Sequence, residues 1–206
     1  VCSAALSTGF LFDLPLNKHL LATLSATSEQ YIGTQGGGMD QAIAFLAKKG
    51  YAQYIEFNPV RATPIRLPND AVFVIANSLT EANKAATSDF NQRVVECKLA
   101  TKLLAKMTER PWQDVEKLGQ LQSEILDIEL EEFEQLIKTH LTKDVYGKEE
   151  LMEIFKLNAV EFEEKMLTPN TRNEKTFKLR QRALHVIQGD LLSYQLLMSP
   201  IKPFLL

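Results

Sequence analysis

The spacing of apolar residues changes twice along this 206-residue chain, and the two changes limit the folds open to it. Before residue 50 the apolar residues recur every three or four positions, which is typical of helices. Short apolar runs separated by turn residues follow at 51–57, 62–67 and 71–77, and they predict strands. Helical spacing returns at Gln92. A block of strands followed by many helices predicts an α+β fold.

The first helices can be placed from the apolar residues and the breaks between them. Residues 2–12 are small and apolar and predict the buried end of a helix, followed by a break around Pro15. Residues 18–31 and 39–48 predict two more helices, the second with Gly50 as its C-cap. In this second helix we expect four residues to face inward: Ile43, Ala44, Leu46 and Ala47.

The remaining segments predict one buried strand and a helical second half. Residues 71–77 are apolar on both faces, which is typical of a central strand. In the helix that starts at Gln92, apolar residues recur at Val95, Leu99 and Leu103. A long acidic segment, 112–140, should break near Asp127. Two short helices and a final long one are expected at 148–157, 159–167 and 175–198.

Composition excludes several classes of protein. The chain is 45% hydrophobic and 24% charged with a net charge of −3, so no basic surplus indicates binding to nucleic acid or to an anionic membrane. The two cysteines are too few for a disulfide framework, and no cysteine–histidine cluster indicates zinc. The longest apolar run is too short to span a membrane, so we expect a soluble, cytoplasmic protein.

A glycine cluster, Gly36-Gly37-Gly38, lies two residues before Asp40. Consecutive glycines let the backbone adopt positive φ and approach a ligand closely. A carboxylate at the end of such a turn can accept a proton from a hydroxyl group held against the backbone. The residues themselves are equally compatible with a flexible surface loop that carries a solvated aspartate.

Three ordered segments together resemble the galactokinase branch of the GHMP small-molecule kinases. Their order and spacing are most similar to N-acetylgalactosamine kinases, and a weaker similarity at 168–183 extends the resemblance to about residues 1–187. The three segments are residues 28–33 with 36–41, residues 55–63, and residues 73–78 with 83–97. The fold that the resemblance implies is a GHMP-kinase-like two-layer sheet plus helices, incomplete at both ends.

The resemblance implies transfer of the γ-phosphoryl group of ATP to the anomeric hydroxyl of galactose or N-acetylgalactosamine. Asp40 is at the position of the catalytic carboxylate, which would hold or accept the proton of that hydroxyl. Glu29 matches a residue that helps to hold Mg²⁺, a cation that commonly takes only one or two protein carboxylates. By itself, Glu29 could equally be a solvated helix residue.

The resemblance also implies residues that contact the sugar and the nucleotide. Gly37, Gly38 and Asp40 would lie against the sugar, although Gly37 could also be an ordinary turn glycine. Phe90 is where galactokinases often have a sugar-binding tyrosine, so the chain keeps the ring and lacks the hydroxyl group. Lys84, in the same loop, could face the phosphates of ATP or the solvent.

The similarity implies an organisation in two parts. Residues 1–50 would be the end of an N-terminal GHMP domain, and residues 51–206 a partial C-terminal domain that is rich in helices after 92. The family's phosphate-binding loop would precede Val1, so we expect these residues alone to be inactive. We expect the complete kinase to be a monomer. The alternatives are a non-catalytic sugar- or nucleotide-sensing homologue and an inactive fragment.

Overall fold

The computed structural model describes residues 1–31, 36–56, 60–70, 72–80 and 88–198. The chain divides into two compact units, Val1–Ala85 and Ala86–Pro200, and each unit is described by itself. Both combine helices with a small antiparallel sheet, as expected for an α+β chain. The domain boundary expected near residue 50 comes from the resemblance alone and stays a prediction.

The first unit contains three helices and a β-hairpin. The helices are α1 (Cys2–Leu11), α2 (Lys18–Gln30) and α3 (Met39–Leu46), and the strands are β1 (Tyr51–Glu56) and β2 (Arg61–Arg66). The side chain of Asn17 caps α2 by accepting a hydrogen bond of 3.1 Å from the backbone N–H of Leu20. The strands pair antiparallel, with Tyr51 opposite Arg66 and Glu56 opposite Arg61. All five elements were predicted from the sequence.

The packing of α1 and α3 differs from the expectation. In α1 only Gly9 is buried, and its large apolar residues near the C-terminal end are exposed. In α3 the buried residues are Gln41, Ala42 and Phe45, whereas Leu46 is half-buried and the other three predicted inward residues are exposed. Because α3 contacts α2 and both strands of the hairpin, its neighbours decide which face is buried.

Gly50 is not the C-cap of α3. The helix ends at Leu46, with Ala47 as its cap, and Gly50 lies in the turn that precedes β1. Its φ of +80° is in the left-handed region, which explains a glycine there. The prediction identified a required glycine and assigned it to the wrong element, since a helix end and a tight turn use the same backbone conformation.

The central strand predicted at 71–77 is absent from residues 72–80. These residues form neither a helix nor a strand, and Ile75 is 95% exposed. A strand that is apolar on both faces needs hydrogen-bonded neighbours and cover on each side. Within the described part of the first unit, β1 and β2 pair only with each other, so this segment has no neighbouring strand.

The second unit is a helical bundle around α4 (Asp89–Met107). The break predicted near Asp127 is confirmed, since a π-helical segment, Gln120–Leu126, ends at this residue in a left-handed conformation with φ of 52°. The other helices are close to their predicted positions: α5 (Leu130–His140), α6 (Lys148–Phe155), α7 (Ala159–Met166) and α8 (Leu179–Met198). Two short strands, β3 (Tyr146–Gly147) and β4 (Thr176–Phe177), pair antiparallel.

The hydrophobic core of the second unit forms around α4, which contacts α5, α7 and α8. The predicted apolar residues Val95, Leu99 and Leu103 are buried in it. They meet phenylalanines from other elements, among them Phe133 and Phe162. None of the helices in the described ranges is both long and apolar enough to cross a membrane.

Candidate functional site

The end of α2 and the start of α3 meet beside the predicted catalytic residue. Glu29 lies in the last turn of α2, and Asp40 lies in the first turn of α3. The side-chain amide of Gln41, the residue after Asp40, donates a hydrogen bond of 2.5 Å from Nε2 to Oε1 of Glu29. The fold therefore brings Glu29 against the turn of helix that carries Asp40, although the two acids are eleven positions apart in sequence.

The glycine before α3 is required by backbone conformation and by space. Gly38 is the N-cap of α3, is buried, and has a φ of +93°. A Cβ atom at this position would lie 2.8 Å from the Cβ of Ala26 in α2, which is too close for two carbon atoms. Gly38 thus lets α3 start directly against α2.

The other glycines of the cluster lie nearer to solvent. Gly37 is exposed and immediately precedes the N-cap. A Cβ atom at Gly36 would lie 3.7 Å from Oε2 of Glu29, so the backbone passes beside the second oxygen of this carboxylate. A ligand can reach the backbone at Gly37, whereas Gly38 has a structural role of its own. Contact of either glycine with a sugar stays a prediction.

Asp40 is an exposed carboxylate at a helix N-terminus. It is the one acidic residue in the first turn of α3, where the helix dipole favours a negative charge. Its side chain is accessible to a ligand from solvent. A carboxylate in this position can accept a hydrogen bond or a proton from a hydroxyl group brought against the turn.

Glu29 is suited to share a cation with a ligand. Its Oε1 is occupied by Gln41, and within the described ranges its Oε2 has no hydrogen-bond or ion-pair partner. The same ranges contain no group of three or more histidine, cysteine, aspartate or glutamate residues that could hold a metal ion. Mg²⁺ in nucleotide sites commonly takes one or two protein carboxylates together with water and phosphate oxygens. Oε2 of Glu29, which has no partner in the described ranges, can be one such carboxylate ligand. This arrangement does not need a cage made wholly of protein ligands.

Phe90 belongs to the second unit, where it is half-buried in the first turn of α4. Side-chain contacts to the segment between α7 and β4 hold the start of this helix. Ser88 donates a hydrogen bond of 2.9 Å to Glu174, and the buried Asn91 donates one of 2.9 Å to the side-chain oxygen of Asn170. The segment at 168–171, which showed the weaker family similarity, therefore lies against the turn that carries Phe90.

The predicted site residues fall into three groups. Glu29, Gly38 and Asp40 lie together at the contact between α2 and α3, with Gly37 next to them along the chain. Phe90 lies in the other unit, and Lys84 lies outside the described residues. Sequence reasoning missed the contacts made by Gln41 and Asn91, because glutamine and asparagine do not reveal their partners in a single sequence.

The chain is similar to known sugar kinases. It is 39% identical over 192 residues to a galactokinase of Dictyostelium discoideum. This alignment covers 90% of this chain and 38% of that protein. It is 28% identical over 216 residues to a galactokinase of Schizosaccharomyces pombe, and 31% identical over 201 residues to one of Candida parapsilosis. These alignments cover 88% and 85% of this chain, and 41% and 40% of those two proteins.

The similarity to these galactokinases extends over most of this chain, at identities of 28–39%. No protein-family profile matches the chain. The chain spans about two fifths of the length of the curated relatives described above.

Proposed function

We propose that this chain is part of a sugar 1-kinase that transfers the γ-phosphoryl group of ATP to the anomeric hydroxyl of galactose. The observation that carries the proposal is the 39% identity to a galactokinase over 192 residues. The exposed carboxylate of Asp40, two residues after a glycine turn, agrees with the reaction. The GHMP-type fold of the whole kinase is part of the same proposal.

Asp40 is the proposed proton acceptor. As the C1 hydroxyl oxygen bonds to the γ-phosphorus, its proton passes to the Asp40 carboxylate, and the bond from the γ-phosphorus to the bridging oxygen of ADP breaks. The products are the sugar 1-phosphate and ADP. Positioning of the two substrates supplies much of the acceleration in a reaction of this class, so the base is only one part of the site.

Glu29 is the proposed protein ligand for Mg²⁺. The cation would neutralise charge on the phosphate oxygens of ATP. The residues present fit this role because Oε1 is held by Gln41 and Oε2 has no partner in the described ranges. Lys84 remains the proposed phosphate contact.

The proposed sugar contacts are the backbone of Gly37 and Gly38 and the ring of Phe90. A phenyl ring can pack on the apolar face of a galactose ring without donating a hydrogen bond. Because Phe90 lacks the tyrosine hydroxyl, N-acetylgalactosamine is the second sugar to compare with galactose.

Release of ADP, measured with both sugars, tests the proposed reaction. The complete gene product should turn over at least one sugar in the presence of ATP, and the 206 residues alone should be nearly inactive. Robust turnover by the 206 residues alone would contradict the view that they are one part of the kinase. Sugar binding in calorimetry, without any ADP release by the complete product, would instead support a non-catalytic sensor.

The substitution Asp40→Asn tests the proposed base. It preserves the size of the side chain and removes the proton acceptor, so we expect turnover in the complete protein to fall on the order of 100-fold or more. Sugar affinity should change much less. The matched control is Asp114→Asn, which makes the same change at an exposed aspartate in the other unit. Unchanged turnover by the Asp40 variant would reject the assigned role.

A further inference from the structure

We propose that Gln41 is a positioning residue that holds Glu29 so that one carboxylate oxygen, Oε2, faces a bound divalent cation. The proposal rests on the proposed kinase function. It gives Gln41 a role in setting the affinity of the same site for a cation. Gln41 touches neither sugar nor nucleotide in this view. It acts through Glu29.

The burial of Gln41 indicates a specific partner. Its side chain is on the buried face of α3, and the residue is only 6% exposed. A buried amide is costly unless its polar atoms are hydrogen-bonded. The partner of Nε2 is Oε1 of Glu29, twelve positions earlier in the sequence and on a different helix. A hydrogen bond to an ionised acceptor is among the stronger ones in proteins.

Two contacts in register define the orientation of Glu29. Gly38 lies against Ala26, and Gln41 is bonded to Glu29, so the second contact is three residues further along both helices. Residues three apart lie on the same face of a helix. The close approach at Gly38 thus brings the Gln41 amide within reach of the carboxylate. The backbone at Gly36 passes beside Oε2 of Glu29. Because residue 36 is a glycine, it places no side chain in front of this oxygen.

The amide is the chemical group that suits this role. It donates a hydrogen bond to Oε1 without bringing a charge, so Glu29 keeps its negative charge for a cation. A lysine at position 41 would neutralise the carboxylate, and a glutamate would repel it. A hydrogen bond that orients a metal-binding carboxylate commonly changes metal affinity by 10- to 100-fold.

Three variants of the complete protein test the contact itself. Gln41→Met removes the amide at similar size, Gln41→Glu creates a pair of carboxylates, and Glu29→Gln with Gln41→Glu exchanges the two groups. Amide hydrogen exchange of α2 and α3 is the measurement. Gln41→Glu should lose protection, because it sets two carboxylates against each other. The exchanged pair should be protected as in the wild type.

The same variants separate positioning from a purely structural role. Binding of Mn²⁺ in the presence of ATP, followed by water-proton relaxation, should weaken about 10-fold in Gln41→Met. The exchanged pair should restore amide protection and should not restore Mn²⁺ affinity, since its carboxylate is on the wrong helix. If Gln41→Met loses protection while Mn²⁺ binds as in the wild type, Gln41 is structural only and the proposal is wrong.

Failure of this proposal can be distinguished from failure of the kinase assignment. If no sugar is phosphorylated but Mn²⁺ binding still depends on Gln41, the reaction is wrong and the positioning role stands. If sugar is phosphorylated and Mn²⁺ affinity is the same in all variants, the kinase assignment stands and Gln41 has no positioning role. Absence of Mn²⁺ binding by the wild type would also overturn the role of Gln41.

Discussion

Gly38 and Gly50 have the same kind of backbone conformation and very different surroundings. Their φ values are +93° and +80°, which costs an L-residue about 1–2 kcal/mol. At Gly50 a Cβ atom would enter open space, whereas at Gly38 it would meet the Cβ of Ala26. Only Gly38 therefore carries a packing constraint in addition to the conformational one, and this constraint keeps α2 and α3 close enough for Glu29 to reach Gln41.

We expect Gly38→Ala to destabilise the first unit by about 2–4 kcal/mol, the sum of left-handed strain and forced repacking. Gly50→Ala is the matched control and should cost only about 1–2 kcal/mol. Hydrogen exchange of the α2 and α3 amides is the suitable measurement, because the single tryptophan, Trp112, belongs to the other unit. Equal losses in the two variants would contradict the close contact at Ala26.

Among the elements, α4 organises the second unit through its apolar residues and through one buried charge. The side chain of Lys102 is only 3% exposed, and its Nζ lies 2.7 Å from Oε1 of Glu116. It also donates to the carbonyls of Gln113 and Trp112, at 2.7 and 3.3 Å. This lysine therefore ties the loop after α4 to the helix. Lys98 reaches the other oxygen of Glu116 at 3.0 Å but is 28% exposed.

The contacts of Glu116 make the ion pair between Lys102 and Glu116 dependent on pH. Partial burial acts to raise the pKa of Glu116, but the hydrogen bonds from Lys102 and Lys98 outweigh it and hold the pKa below its ordinary value of 4.5. A carboxyl group with a lowered pKa in the folded state stabilises the fold above its unfolded pKa. The stability that Glu116 contributes is therefore lost as the pH falls below 4.5 and then passes through the lowered pKa of Glu116.

Lys102→Met should destabilise the second unit by about 1–3 kcal/mol at pH 7, because two carbonyls and a carboxylate lose their buried donor. Lys98→Met removes the more exposed partner of the same carboxylate and should cost no more than about 1 kcal/mol. Urea unfolding followed by Trp112 fluorescence measures both effects. The difference between wild type and Lys102→Met should shrink as the pH falls below 4.5. A difference that does not change with pH would argue against the ion pair as its source.

On the scale of the whole molecule, the two units bury their apolar residues to different extents. The large buried cluster lies entirely within the second unit. Most of the large apolar side chains that are exposed in the described ranges belong to the first unit, including a run at 72–75. Burial of apolar surface is the main favourable term in folding, so the second unit should hold most of the stability of this chain.

The exposed run at 72–75 should promote association of the 206-residue chain. Uncharged β-branched and aromatic residues in an exposed segment favour strand pairing between molecules. Ile75→Lys places a charge in this run and should reduce the particle size measured by light scattering. Leu79→Lys, at an exposed residue outside the run, is the control and should have a smaller effect. An equal effect of both variants would assign association to general hydrophobicity.

The sequence predicted those features that depend on nearby residues. The helix at 18–30 follows from apolar spacing, and the hairpin follows from turn residues between two strand-like runs. The break at Asp127 was also predictable, because aspartate tolerates the left-handed conformation. The inward face of α3 and the strand at 71–77 were predicted wrongly, since both depend on neighbours that are distant in sequence.

For the candidate site, the sequence by itself determined the chemical groups: a glycine turn, an acid two residues later and a second acid before it. Only the tertiary structure decided that Gly38 packs on Ala26, that Glu29 meets Gln41, and that the 168–171 segment lies against the turn of Phe90. The physical reason is the distance along the sequence between the residues that interact. Backbone conformation and capping depend on a few adjacent residues, whereas the partner of a buried polar side chain is decided when distant helices pack together.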